Sequence, residues 1–268
     1  MSMLRFHYHM EIAFSEPVWD HVYTLKCLPK TTEHQEILEC SYTISPANKI
    51  QEGMDSFGNR MLYGTAEERQ SLFLVDVTGR ARMREEDYGY GNEDISLYRY
   101  HTSLTRPEER ILELLADCRE RTAQIPKARV YDRACVYMGI VRESLAYRKG
   151  ITTINTTAEE ALALRGGVCQ DYAQLLIALC REDKIPARYV VGMLKGEGES
   201  HAWTEVYNNG RWVGLDPTNN VVVEQSHIKI SHGRDYRDCS INRGVFRGQA
   251  DQRQRIRVEV AEEAVRIL

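Results

Sequence analysis

"GGVCQDYAQLLIALC" (Gly166–Cys180) decides how this chain reads. After Cys169, the apolar residues Tyr172, Leu175, Leu176, Leu179 and Cys180 recur at helical spacing, the pattern of a helix with one face in a core. Gly166 and Gly167 let the backbone turn tightly before it, so Cys169 falls in the first turn. There, free N–H groups and the positive end of the helix dipole favour an anion. A thiol so placed can fall from a pKa of about 8.5 to anywhere in the range of roughly 3.5–7.5, and the thiolate is the nucleophile. Adjacent N–H groups can also receive a developing oxyanion. Cys180, on the apolar face, reads as a buried structural thiol, and Pro186 ends the segment.

A nucleophilic thiolate needs an imidazole to hold the ion pair and protonate the leaving group. His201 begins the strand-like "HAWTEVY" after the glycine-containing "KGEGES", and Asp216 ends the next, "RWVGLDPT". "NNG" at Asn208–Gly210 signals a tight hairpin between them. A loop of Asn209 and Gly210 pairs Asn208 with Arg211 and sets Trp203 opposite Asp216, with His201 diagonal to the carboxylate. A loop of Asn208 and Asn209 sets His201 directly opposite Asp216. Both registers put imidazole and carboxylate on one face within side-chain reach; a three-residue loop would part them.

The first ~95 residues read as β. Leu4, Phe6, Tyr8, Met10, Ile12 and Phe14 alternate with more polar positions, the period of a half-buried strand. His7 and His9 share its outer face and could bind a metal, but no third ligand is in view, so a solvated face is expected. Short strands at Val22–Cys27, Glu36–Ile44 and Leu72–Val77, punctuated by Pro29, Phe57–Asn59 and Gly79, suggest a small sandwich or barrel-like unit. From about residue 103 the period is helical. Thr105 and Glu108 around Pro107 have capping-box spacing, ahead of a stripe at Ile111, Leu114, Leu115 and Cys118. A second helix carries Val130, Ala134, Met138, Val141 and Leu145. Thr157 and Glu160 form another capping box, opening a short helix that ends near Gly166. Residues 90–104 are the expected boundary, giving a β domain over 1–100 and a catalytic core over 101–268.

Composition narrows the function. Thirty-five basic against 39 acidic residues leave a net charge of −4, with no basic patch for nucleic acid. No apolar run nears the roughly 20 residues that span a bilayer, and the N-terminus has no signal-peptide core, so a cytoplasmic location without membrane partners is expected. Seven scattered cysteines with no CxxC pair give no structural zinc site. No cofactor or metal is called for.

"GGVCQDYA", "SHAWTEVY" and "WVGLDPTN", in this order, resemble the three core motifs of the transglutaminase-like superfamily, most closely its bacterial cysteine peptidase branch. "HIKISHGRDYRDCSINRGVFRG" (His227–Gly248) looks like that branch's C-terminal signature, and the N-terminal β region with "DSFGNR" (Asp55–Arg60) resembles the domain that precedes the core. Ser240 departs from a proline common in such sequences, a difference expected to matter only to a turn. The resemblance implies a papain-like α+β core, helices packed on an antiparallel sheet, preceded by a small all-β domain. It implies Cys169 as nucleophile, His201 as general base and acid, and Asp216 as orienter, with the Cys169 N–H in the oxyanion hole. Asp171 matches the acidic residue after the cysteine, a role that stabilising the helix start explains. Asp235 and Tyr236 match a segment that either lines the cleft or is structural. No dense acidic loop argues for calcium dependence. The function expected is a cysteine-dependent acyl-transfer enzyme, a hydrolase acting on peptide or carboxamide bonds of a peptide or protein substrate through a thioester. The alternatives are a transglutaminase; an amine acyltransferase such as an arylamine N-acetyltransferase, for whose coenzyme A donor no feature is visible; and a non-catalytic protein-binding scaffold, which the intact triad disfavours.

Overall fold

The computed structural model describes residues 2–84 and 95–263. β1 (Met3–Leu25) is followed by β2 (Gln35–Ser45), β3 (Lys49–Met54), β4 (Arg60–Ala66) and β5 (Gln70–Met83). Next come α1 (Glu109–Arg121), α2 (Val130–Ser144), the two-residue β6 (Ala146–Tyr147), α3 (Ala158–Leu164), β7 (Gly166–Gly167) and α4 (Cys169–Glu182). The chain then runs through β8 (Ala187–Leu194), β9 (Gly196–Gly198), β10 (His201–Asn208), β11 (Arg211–Asp216), β12 (Val221–Val222), β13 (His227–Gly233), β14 (Asn242–Arg247) and β15 (Gln252–Glu262). This is the expected α+β architecture, with a sheet-rich N-terminal region.

The alternation in β1 buries Leu4, Phe6, Tyr8, Met10 and Ile12 almost completely. The strand is longer than its pattern suggested: Val22–Leu25 continue it. Its first half pairs with β5 and β15, and its second half with β4 and β14. Gly79 is no turn; it lies within β5, where a Cβ would meet the Phe6 ring at 2.4 Å. The division at residue 100 is not followed by the sheets. β14 and β15, from the C-terminal part of the chain, pair with β1 along its length. The physical reason is that β5 and β4 leave one edge of β1 uncovered, and an open edge of that length needs a partner. The period-2 set Ile256, Val258 and Val260 carries the signal. Of the expected boundary, residues 90–94 lie outside the described residues.

The second sheet has the order β12–β11–β10–β8–β13, antiparallel throughout. α4 lies against it, and the Thr204 hydroxyl donates to the Ala173 carbonyl at 3.1 Å. The apolar stripe predicted one buried face for α4; instead every residue from Gln170 to Arg181 is buried. The sheet covers one side of α4, and α1, α2 and α3 pack against it as well. The polar members of the helix are therefore bonded: Arg181 donates to the carbonyls of Tyr98, Ala187 and Arg234 and to the Thr105 hydroxyl. This use of Thr105 displaces the capping box expected at Thr105 and Glu108. α1 is capped instead by Glu159, whose carboxylate accepts from the N–H groups of Glu108, Arg110 and Ile111. The Thr157–Glu160 capping box forms as expected, with the Glu160 N–H donating to Thr157 Oγ1 at 3.2 Å and the Thr157 N–H to Glu160 Oε2 at 2.7 Å. No helix among the described residues is long and apolar enough to cross a membrane.

Candidate active site

Cys169 is the first residue of α4. The turn before it is made by Arg165, at φ 50°, and not by the two glycines. Gly167 is required for space: a Cβ there would meet Asp171 Cγ at 2.6 Å. The Asp171 carboxylate folds back over the helix start, where its Oδ2 accepts from the Val168 N–H at 2.7 Å and the Thr152 hydroxyl at 2.8 Å. It is buried, and burial raises its pKa against these bonds. The helix-start role expected of Asp171 is thus its observed one. It secures the backbone that holds Cys169, whose own N–H is one of those the helix leaves free.

The hairpin takes the first of the two allowed registers. Asn208 pairs with Arg211 and Thr204 with Leu215, and Asn209 and Gly210 hold φ of 49° and 90°, the all-positive pair of a type I′ turn. His201 Nε2 lies 2.8 Å from Asp216 Oδ2. That leaves Nδ1 for Cys169, the other hydrogen-bond partner of the ring. Burial opposes charge on this imidazole. The hydrogen bonds and charges of Asp216 and Cys169 outweigh it and raise its pKa to about 10, a shift that favours the imidazolium.

Asp216 is fully buried. Burial alone would raise its pKa, but bonds from His201 and His227, the His201 charge and the Asn219 amide hold the carboxyl well below the usual carboxylate range. Oδ1 accepts from the N–H groups of Thr218 and Asn219 at 3.0 and 3.3 Å. Oδ2 accepts from Asn219 Nδ2 at 2.7 Å and faces His227 Nε2 at 3.2 Å. The sequence reading missed His227 and Asn219 as partners of this carboxylate. Asn219 follows directly on "DPT", the local signal. His227 opens β13, which joins the sheet beside β8, a placement that only the strand order reveals. Trp203 is also buried here, stacked near His201 at 6.4 Å and edge-on to His227 at 5.2 Å.

The thiol opens into a cleft of about 570 Å³ whose walls include Tyr147, Lys149, Glu199, Tyr189, Tyr236 and Asn242. Tyr236 is thus a cleft residue, while Asp235 is buried and caps the following turn through the Arg237 N–H. The Ser240 hydroxyl donates to the Asn242 carbonyl two residues on, at 3.1 Å. "KGEGES" is no free loop: within it, β9 pairs with β15. The other six thiols are shifted upward by burial, Cys27 and Cys118 to about 12. Among the described residues, two groups of donor atoms are close enough to share a cation: His201, Asp216 and His227, and, on the outer face of the N-terminal sheet, His7, His9 and Asp76. Asp76 is the third side chain that the sequence did not bring into view.

Residues 119–217 match the transglutaminase-like superfamily, and residues 4–82 match the bacterial transglutaminase-like N-terminal region. "Uncharacterized protein Rv2569c" of Mycobacterium tuberculosis is 43% identical over 116 residues, covering 37% of this chain and 37% of that protein. "Uncharacterized protein ML0607" of Mycobacterium leprae is 36% identical over 118 residues, covering 40% of this chain and 42% of that one. The match therefore spans about two fifths of each relative's length. Among solved structures, a "Putative Cysteine Protease from Cytophaga hutchinsonii" shares the fold, with a TM-score of 0.79 at 23% identity over 100% of this chain and 92% of that one.

Proposed function

The chain belongs to the transglutaminase-like superfamily, and on that premise we propose that it is a cysteine-dependent hydrolase of peptide or carboxamide bonds. The observation that carries the reading is the position of His201 between the Cys169 thiol at a helix start and the buried Asp216 carboxylate. Cys169 attacks as a thiolate, and its own N–H stabilises the oxyanion. His201, already protonated, gives its proton to the leaving amine. The resulting thioester is hydrolysed by water that His201, now neutral, deprotonates. Asp216 holds the ring through Nε2 and stabilises its charge, a positioning role.

The substrate class is a peptide or protein. The cleft supports this: it is open and carries both charge signs, with Lys149 and Glu199 on its wall. It continues past Lys149, Glu199 and Ser200 into a groove bordered by Arg255 and Arg257 of β15, room for more than one residue of an extended chain. A cytoplasmic location belongs to the same proposal, since seven free cysteines, four of them buried, suit a reducing compartment.

A panel of peptide and carboxamide substrates, assayed with the wild-type protein and with Cys169→Ala, tests the reading. Turnover of at least one member that disappears in Cys169→Ala is expected. Turnover that survives the substitution would sink it.

A further inference from the structure

The outer face of the N-terminal sheet gathers imidazole and carboxylate groups of its own. His7 and His9 stand two residues apart on β1, so both side chains rise from the same face. Asp76 of β5 pairs directly with His9 and reaches both rings. Its Oδ1 lies 2.9 Å from His7 Nε2 and 2.9 Å from His9 Nδ1. The two rings lie edge-on, with planes 65° apart, so their nitrogens converge on the one oxygen. All three side chains are partly open to solvent, at 44%, 33% and 36%. A cross-strand polar pair on such a half-exposed face contributes little to stability. One partner for Asp76 would suffice for that, and stability alone gives no reason for two histidines over one carboxylate.

We propose that His7, His9 and Asp76 form a binding site for a divalent transition-metal ion of the zinc class. Two imidazole nitrogens and one carboxylate oxygen make a set of three protein donors that leaves a fourth position for water. A tetrahedral ion about 2.0–2.1 Å from each donor holds its ligands roughly 3.3 Å apart. The two imidazole–carboxylate spacings of 2.9 Å need to open by a few tenths of an ångström, and the two ring nitrogens, within 4.8 Å of each other, need to settle at the same separation, shifts that rotation of partly exposed side chains supplies. Each ring ligates as neutral imidazole, its single proton moving to the nitrogen that points away from the carboxylate. Imidazole donors select the later first-row ions, while calcium asks for six to eight oxygens and finds too few here. The ion can enter from solvent, since His9 also lines the groove that borders β15. Bound there, it ties β1 to β5. The site is separate from Cys169, His201 and Asp216, and the proposal does not depend on the reaction that they perform.

Calorimetric titration of the full chain with zinc, with calcium as control, tests this. The proteins are the wild type, His7→Ala, His9→Ala and the Cys169→Ala/His201→Ala double variant. One equivalent of zinc is expected in the wild type and in the double variant. Affinity should fall in His7→Ala and in His9→Ala by more than the roughly 10–100-fold that loss of an outer-shell partner costs. Zinc should raise the melting temperature of the wild type and of the double variant, and not that of His9→Ala. Calcium should give no heat. No binding up to millimolar zinc, binding that survives loss of His9, or binding lost only in the double variant would each overturn the proposal, the last by moving the ion to Asp216.

Discussion

His227 Nε2 lies 3.2 Å from Asp216 Oδ2, the same oxygen that His201 Nε2 meets at 2.8 Å. The carboxylate is thus held from behind while it orients the proposed base. Its position does not depend on His201 alone, since Asn219 and two backbone N–H groups also grip it. His227 is a positioning residue in this arrangement. His227→Gln should lower kcat about tenfold with KM little changed, well short of the roughly 10²–10⁴-fold that a general acid–base itself supplies. Steady-state kinetics beside His201→Ala checks the ranking. A loss as large as that of His201→Ala would place His227 in the reaction itself.

Selective alkylation follows from the thiols. Burial raises the other six, whereas Cys169 opens into the cleft beside an imidazolium. Iodoacetamide at neutral pH should modify Cys169 well before the others. Peptide mapping after limited labelling reads this out, and earlier modification of Cys40 or Cys135, the other two partly exposed thiols, would count against the assignment.

The pH profile should be set on its alkaline side by His201. Its folded-state pKa of about 10 lies above the ordinary imidazole value of about 6.5. The proton is therefore bound more tightly in the folded chain. The associated stability is fully present below about pH 6.5 and is lost as the pH rises toward 10. Asp216 has the opposite sign: its depressed pKa contributes stability above the usual carboxylate range, lost as the pH falls through and below it. Activity should persist to about pH 10 and then decline as the general acid deprotonates. Asp216→Asn removes the largest upward contribution, so the alkaline limb should move to lower pH. An unmoved limb in kcat/KM against pH would mean that Asp216 does not govern His201.

Much of this was legible from local pattern. Helical spacing after Cys169, alternation in β1 and the "NNG" turn each depend on neighbours in sequence, and each formed. The errors lie where distant chain decides. Thr105 looked like a cap because Glu108 stands three residues on; the guanidinium of Arg181, 76 residues away, claims its hydroxyl. "KGEGES" carries two glycines, which favour loops, yet the edge of β15 receives part of it as a strand. His7 and His9 looked unaccompanied because Asp76 is 69 and 67 residues distant along the chain. His227 escaped notice because nothing local links it to Asp216.

Gly192 supports the site from within β8. It pairs with His201, and a Cβ on it would meet the Ile228 carbonyl at 2.2 Å and Trp203 Cη2 at 2.4 Å. Gly192→Ala must displace backbone or the buried indole that stacks near His201. Overpacking of this kind costs about 1–3 kcal/mol, seen as a lower melting temperature. Activity should fall further than in Gly198→Ala, where the added Cβ meets nothing within 4 Å. Equal effects of the two substitutions would show that the Trp203 packing does not position the imidazole.

Water is the expected acceptor for the thioester. An enzyme that transfers to an amine must keep water away while admitting the amine, which calls for a dry channel with bulky apolar walls. Trp203 and Trp212, the large aromatics nearest in sequence, are 1% and 3% exposed and belong to the core. Neither lines the cleft at Cys169, whose walls set Lys149, Glu197, Glu199 and Ser200 beside Tyr147, Tyr189 and Tyr236. With charged groups on its wall and an open mouth, the cleft admits water to the thioester, and an amine present at millimolar levels competes poorly. The check is a partition experiment on an activated amide or peptide, measuring free acid against amine conjugate as a primary amine is raised into the millimolar range. Free acid should dominate throughout. Conjugate in excess at low amine would replace the hydrolase reading with that of a transglutaminase or amine acyltransferase, using the same Cys169 thioester.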